Sequence, residues 1–312
     1  MATSKKYRIL SLDGGGIRGL FTLIILEKLS KIYPNWLSQV DLIAGTSSGG
    51  IIALGLAYGK SPTELRFLFE GKAKEIFDDS WLDDLVDLGN LRGAHYSNKN
   101  LAKYLDQIFG QALLKDLKTK VLIPTFDLDN EKTDPEKRSW APKFFHNFSG
   151  SDSDGHEYIK NIALYTTAAP TYFPTINGYI DGAVIANNPS MAALTQAQDN
   201  RSFKRPLSLK NIALLSIGTG QTHLKITAKN LDWGRMQWSK PILDIMFEGN
   251  MNIADYQCNQ LLGARYHRIN ANFPDGIHIA LDQFKKVPII IKWASNLNLA
   301  RSEAWLKKFW LN

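Results

Sequence analysis

Two kinds of apolar spacing recur along the chain. Tyr7–Leu12 is a short, nearly continuous apolar run, as expected for a strand buried on both faces. Over Ile17–Ile32 the apolar residues Leu20, Leu23, Ile24, Leu26 and Leu29 fall at helical spacing. The pair then repeats. Val40–Ala44 predicts a second strand and Gly49–Tyr58 a second helix, with turns at Asp13–Gly16 and Gly45–Ser48. Strand, turn and helix twice over is the pattern of a parallel α/β sheet. Later strands are predicted over Val121–Asp127, Tyr179–Asp181 and Ile212–Ile217. Helices are predicted over Ser61–Phe77, Asn98–Phe109 and Pro189–Gln198. The polar stretch Asp127–Tyr158 predicts loops or a hairpin excursion, and Lys72–Asn98, rich in aspartate, predicts either a lid or a surface loop and helix. No internal repeat or low-complexity linker divides the chain, so one domain over residues 1–312 is expected.

Two apolar stretches raise the question of membrane. Leu42–Gly59 is 18 residues without a charge, long enough to suggest a span, but Gly45, Thr46, Ser47, Ser48, Gly49 and Gly50 break it into a strand, a turn and a buried helix. Near the C-terminus, Trp305, Leu306, Phe309 and Trp310 form one helical stripe beside Lys307 and Lys308. A helix docked on the core is the plainer reading, and a helix lying on anionic lipid the sharper one. With no secretory signal, a cytoplasmic protein without a transmembrane helix is expected.

Composition adds bounds. With 44% hydrophobic and 21% charged residues, the 312-residue chain is neither disordered nor collagen-like. Thirty-seven basic against thirty acidic residues leave a net charge of +7, which suits anionic partners such as membrane headgroups or phosphorylated ligands. The basic residues are scattered without a nucleic-acid motif, so no nucleic-acid polymer is expected as a partner. The lone cysteine, Cys258, can form no disulfide within the chain. Asp152-Ser153-Asp154-Gly155 faintly echoes a calcium loop, but further oxygen ligands are missing, and no metal site or cofactor is expected.

The candidate chemistry lies at strand ends. Gly45-Thr46-Ser47-Ser48-Gly49 fits G-x-S-x-G, and its place between an apolar strand and an apolar helix is that of a nucleophile elbow. Asp13-Gly14-Gly15-Gly16-Ile17-Arg18-Gly19 also bridges a strand and a helix. Its G-x-G-x-x-G spacing admits a dinucleotide site, but the acidic residue needed at the end of the second strand is absent there. The other use of such a loop is to aim backbone N–H groups at a developing oxyanion. Parallel crossovers carry both loops to one sheet edge, so a nucleophile and its oxyanion donors can meet. Asp181, closing a short apolar strand before Gly182, is the best candidate base. His223, His267 and His278 follow it in the order a Ser-Asp-His triad requires, but none has a comparable glycine-bounded setting, so surface or packing roles are expected for them.

These blocks resemble the patatin-like phospholipases. The resemblance rests on Asp13 to Gly19, Gly45 to Gly50, Ala168-Ala-Pro-Thr-Tyr-Phe-Pro174, Asp181-Gly-Ala183, Asn187-Asn-Pro189 and Ser216 to Gly220, and it covers residues 8 to about 220. Residues 221–312 carry no motif of their own. The resemblance implies a three-layer α/β/α fold with a mostly parallel central sheet. It also implies a Ser–Asp dyad, Ser47 with Asp181, in place of a triad. The family's oxyanion loop falls on Gly14, Gly15 and Gly16, with Gly15 and Gly16 as the foremost donors, and Arg18 takes its basic position, supporting the loop or meeting a lipid phosphate. Ala183 stands where many members have glycine. The activity implied is that of a metal-free lipid acyl hydrolase of phospholipase A type, acting on membrane phospholipids and in contact with the bilayer only peripherally while it acts. Two alternatives stand beside it. One is a ligand-gated effector on the same scaffold, inactive until a nucleotide or protein ligand binds, as in cyclic-nucleotide-activated antiphage signalling or in host-directed effectors. The lesser one is a Ser-His-Asp esterase. The sequence does not give the oligomeric state.

Overall fold

The computed structural model describes residues 6–311 apart from 78–93, 201–202, 204–205, 223–224, 228–230, 240 and 275. Seven strands among the described residues share one sheet: β1 (Tyr7–Leu12), β2 (Leu42–Gly45), β3 (Lys120–Asp127), β4 (Ala141–His146), β5 (Tyr179–Asp181), β6 (Ile212–Ile217) and β7 (Tyr266–Ile269). The order is β4-β3-β2-β1-β6-β7, with β5 also paired to β3. The β1/β2, β1/β6, β2/β3 and β6/β7 pairs are parallel, and β3 pairs antiparallel with β4 and β5.

The strands are apolar on both faces because helices cover both. Leu10, Leu12, Ile43, Ala213, Leu215 and Ile217 point into one apolar layer, and Ile9, Leu42, Ala44, Ile212 and Leu214 into the other. The first layer holds α1 (Gly19–Ile32), α2 (Ser48–Tyr58), α4 (Lys99–Phe109) and α5 (Ile159–Thr166). α3 (Pro62–Phe77) packs against α1 there. After β5 come α6 (Ala183–Ala186) and α7 (Ser190–Gln196), then α8 (Arg235–Trp238) and the 22-residue α9 (Pro241–Leu262). α7 and α9 cover the second face through Ala193, Leu194, Cys258 and Leu262. α10 (Val287–Ser295) and α11 (Ala300–Trp305) return to the first layer. This is the mostly parallel three-layer α/β/α architecture expected.

Several expectations shift. The first helix starts at Gly19 because Gly16–Arg18 is a 3-10 turn, and the second strand starts at Leu42 because Asp41 turns back to accept the Arg8 N–H at 2.8 Å. The polar excursion after Asp127 is a hairpin: β4 pairs along β3 from Leu122↔His146 to Asp127↔Ala141. The calcium-like Asp154 closes that hairpin, accepting the His146 N–H at 2.9 Å and pairing with Lys143. At the C-terminus the docked reading holds. Trp305, Leu306 and Trp310 are buried, Trp310 Nε1 donates to the Trp36 carbonyl at 3.1 Å, and the Trp310 carbonyl accepts Arg8 Nε at 2.6 Å, so the stripe turns toward the core, with Phe309 half-buried at its edge. Most of the lid candidate, residues 78–93, lies outside the described residues.

Candidate active site

Ser47 stands in the turn between β2 and α2. β2 ends at Gly45, and Ser47 takes φ 55° and ψ −126°, a left-handed conformation costly for any residue with a Cβ. The surroundings enforce it. A Cβ on Gly49 would lie 2.4 Å from the Asp13 carbonyl oxygen and 2.5 Å from that of Leu12, so only glycine lets α2 start this close to β1. Thr166 Oγ1 accepts the Ser47 N–H at 3.0 Å and donates to the Pro124 carbonyl at 2.7 Å. Thr46 Oγ1 ties the turn to the Ala186 carbonyl at 2.6 Å.

Register brings Asp181 to this turn. β2 pairs with β3 only as far as Ala44↔Leu122, and β5 pairs with β3 farther on, from Thr125↔Asp181. Asp181 therefore sits beyond the end of β2, where Ser47 projects. Its carboxyl is buried, and Oδ1 accepts the Ala183 N–H at 2.7 Å. Burial pushes its pKa up to about 7, against the opposing pull of hydrogen bonds from the Ser47 hydroxyl and the Ala183 N–H.

The glycine loop lines the same cavity as Ser47 and Asp181. Gly14 gives its N–H to the Asn187 carbonyl at 3.0 Å, which removes it from the expected set of free donors. Ile17 gives its own to the Leu281 carbonyl at 2.8 Å. Among the described residues nothing takes the N–H of Gly15 or Gly16. Below the loop, Asp13 is buried and receives Arg268 from β7 in a two-pronged pair, with Nη1 to Oδ1 at 3.0 Å and Nη2 to Oδ2 at 2.5 Å. Arg268 Nη1 also donates to Ser216 Oγ at 2.6 Å. Burial raises the Asp13 pKa and Arg268 opposes that shift. Arg18 also lines the cavity, where burial lowers its pKa and Asp244 and Tyr172 oppose the shift.

Ser47 lies between two cavities of different character. One is the more polar, with Arg18, Asp181, Asn187, Asp244 and Glu248 in its wall beside apolar residues such as Phe247 and Met251. The other is walled by Ile17, Ile51, Phe69, Leu101, Tyr104 and Phe173. The two share Gly16, Ser47, Ala169, Tyr172 and Leu281, so the serine sits on the boundary between them.

The histidines are arranged otherwise. His267 stacks on Trp305 with ring centroids 5.4 Å apart and bonds Ser302 Oγ at 2.9 Å, and burial lowers its pKa to about 4. His278 lines the polar cavity, and no hydrogen bond joins it to Ser47 or Asp181 among the described residues. His223 lies outside them. Motif reading does not single out Thr166, Arg268, Leu281, Asp244 or Glu248. Each acts through a contact far along the chain, so no local spacing could flag it. Among the described residues no group of His, Cys, Asp or Glu is placed to hold a metal ion, and no helix is long and apolar enough to cross a membrane.

The sequence model of the patatin-like phospholipase family matches residues 10–194. The chain is 28% identical to the putative sporulation hydrolase CotR of Bacillus subtilis, over 98% of both chains. It is 36% identical to a cGAMP-activated phospholipase of Vibrio cholerae over 68% of this chain, a match that spans 64% of the relative's length. It is 29% identical to patatin-like protein 4 of Arabidopsis thaliana, over 93% of this chain and 80% of the other. Among solved structures, VipD from Legionella pneumophila aligns with 93% of this chain and 67% of its own, at a TM-score of 0.39 and 10% identity.

Proposed function

The chain belongs to the patatin-like phospholipase family, and from that premise we propose that it is a metal-independent serine lipid acyl hydrolase of phospholipase A type, with Ser47 as nucleophile and Asp181 as base. The observation that carries the reading is the Ser47 hydroxyl facing a buried carboxylate whose pKa lies near neutrality, at a strained turn beside two unengaged N–H groups. Asp181 accepts the Ser47 proton as Ser47 Oγ attacks the ester carbonyl. The N–H groups of Gly15 and Gly16 receive the charge that develops on the carbonyl oxygen. Asp181 returns its proton to the departing lysolipid oxygen. Water, deprotonated by the same carboxylate, then attacks the acyl carbon, and Asp181 returns that proton to Ser47 Oγ as the fatty acid leaves. The apolar cavity suits the acyl chain, and the polar one, with Arg18 in its wall, suits the phosphate and the leaving group. In this reading residues 1–312 act as one unit, because residues before and after 220 wall the site.

The test is fatty-acid release from phospholipid vesicles without added metal. Ser47→Ala and Asp181→Asn are each expected to lower the rate at least about 10³-fold while the fold persists. His278→Ala is expected to keep most of it. A folded Ser47→Ala protein with wild-type release would overturn the proposal, and loss of activity in His278→Ala would replace the dyad with a triad. The relatives named cGAMP-activated phospholipases favour a second reading in which the same chemistry waits for a nucleotide. Thermal stabilisation by a member of a cyclic-dinucleotide panel, with release appearing on its addition, would support that version.

A further inference from the structure

Two turns of α9 bring a pair of carboxylates to the Ser47 cavity. Asp244, Phe247, Glu248 and Met251 recur at spacings of three and four, so they share one stripe of the helix, and all four line the more polar cavity. Asp244 is exposed and Glu248 half-buried, so the carboxylates reach from the rim inward. The stripe is held in place beside the proposed dyad. Asn250, on the same helix, accepts the Asn187 N–H on Oδ1 at 2.8 Å and donates from Nδ2 to the Ala183 carbonyl at 2.7 Å, which fastens α9 to the segment after Asp181.

Arg18 and Asn187 line the same cavity. Asp244 and Glu248 are near enough to Arg18 to oppose the lowering of its pKa by burial. Among the described residues, however, neither carboxylate forms an ion pair or a hydrogen bond, and the Arg18 guanidinium makes only a long contact, from Nε to the Gly15 carbonyl at 3.5 Å. Asn187 is 7% exposed, and its side-chain amide is likewise without a partner. A polar group left unpaired at such depth is costly unless a ligand or water satisfies it. Three charges and an amide thus converge on one cavity without meeting one another.

We propose, on the lipid-hydrolase reading of this cavity, that the substrates are phospholipids whose headgroup carries an ammonium: the phosphate meets Arg18 and the Asn187 amide, and the ammonium meets Asp244 and Glu248. Charge balance selects this class. Around Arg18 the wall holds one positive and two negative side chains. A headgroup with a phosphate alone would answer the arginine and then lie beside two bare carboxylates, whose repulsion is strong where water is scarce. A neutral sugar would answer none of the three. A phosphate with an ammonium two carbons away supplies a partner for each sign. Phe247 and Tyr172 add aromatic rings to the wall, which suits a quaternary as well as a primary ammonium.

Headgroup choice is read on short-chain phospholipids below their micelle concentration, which removes the attraction of a protein of net charge +7 for anionic surfaces. Wild type is expected to cleave phosphatidylcholine and phosphatidylethanolamine with kcat/KM about tenfold above that for phosphatidylglycerol of the same chains. Asp244→Asn with Glu248→Gln is expected to bring that ratio to about one, chiefly through KM for the ammonium lipids. Asp244→Asn alone, at an exposed position, serves should the pair disturb folding, and is expected to lower the ratio about threefold. A wild-type ratio of one or below overturns the proposal. So does a ratio that folded variants leave unchanged, including variants that slow all three lipids alike, which would make the carboxylates structural. Cleavage of a soluble ester but of none of these lipids overturns it as well. A wild type that cleaves no lipid and no ester overturns the hydrolase reading instead. Calorimetry of the Ser47→Ala protein with glycerophosphocholine and glycerophosphoglycerol then decides the headgroup: tighter binding of the first, lost on adding Asp244→Asn and Glu248→Gln, supports the assignment, and equal binding overturns it.

Discussion

The stretch up to residue 220 and the stretch beyond it build the site by different means. The first supplies the proposed reacting groups. Ser47, Asp181 and the glycine loop are each set by backbone geometry within a few residues: a left-handed serine, a short strand that ends in a carboxylate, and glycines packed where no Cβ fits. The second supplies almost none of the candidate chemistry and much of the container. Asp244, Glu248 and Met251 come from α9, His278 to Leu281 from the loop before α10, and Arg268 from β7. Chemistry can be written in short motifs because a turn is a local object. A cavity wall cannot, because it exists only where distant segments meet.

Among the bridges across the division, two hold the glycine loop. Arg268 reaches the Asp13 carboxylate across 255 residues, and the Leu281 carbonyl takes the Ile17 N–H. Breaking the first bridge is expected to have the largest effect on stability. Arg268→Met leaves Asp13 buried without its cation, and losing one partner of such a pair costs about 3–5 kcal/mol. Asp13 then holds a proton in the folded state to a higher pH than in the unfolded chain, so the loss grows as pH rises. Thermal melts across pH check this, and Asp13→Asn added to Arg268→Met is expected to recover much of the deficit. A single variant that melts like wild type would mean that the two stretches are not coupled here.

A smaller break targets the loop itself. A Cβ on Gly15 would lie 2.3 Å from Thr219 Oγ1 and 2.6 Å from Thr219 Cβ, so Gly15→Ala must shift the loop or Thr219. Loss of an aligned oxyanion donor is expected to lower kcat on a soluble ester about 10²-fold, with a lesser change in KM. An unchanged kcat would remove Gly15 from the donor role.

The mildest test perturbs nothing but the solvent. With Asp181 near 7, the rate on a soluble ester is expected to fall about tenfold per pH unit below neutrality and to level off above it. Stability runs the other way. The folded carboxyl keeps its proton up to about 7 while the unfolded one has released it in the ordinary carboxylate range, so the fold weakens as pH rises between them. Asp181→Asn is expected to flatten that slope in thermal melts. A wild-type rate profile flat from pH 5 to 8 would argue against Asp181 as the base.

How much could be read in advance follows the same division. β1, β5 and β6 lie at the residues their apolar runs mark, and the other early elements shift by only a few positions. The candidate groups Ser47, Asp181, Gly15 and Gly16 were legible because each sits where a strand meets a turn. α5, β7, α9 and α10 were not, and β4 was legible only as one arm of a hairpin excursion or loops. α9 is the clearest case, since it is apolar toward the core and apolar toward solvent, and its sequence shows no single face. The C-terminal stripe was visible as a stripe, but only the packing of Trp310 against Trp36 decides that it turns inward.

The amino-acid sequence by itself determined the strand-turn-helix order, the family and the short motifs, because sterics and hydrophobic burial act there over neighbouring residues. Tertiary structure alone decided that β5 pairs along β3 past the end of β2 and so sets Asp181 beside Ser47, that Arg268 supports the glycine loop from below, and that one helix faces both the cavity and the solvent. Each of these is a contact between segments far apart in the chain, fixed by register and packing rather than by local spacing.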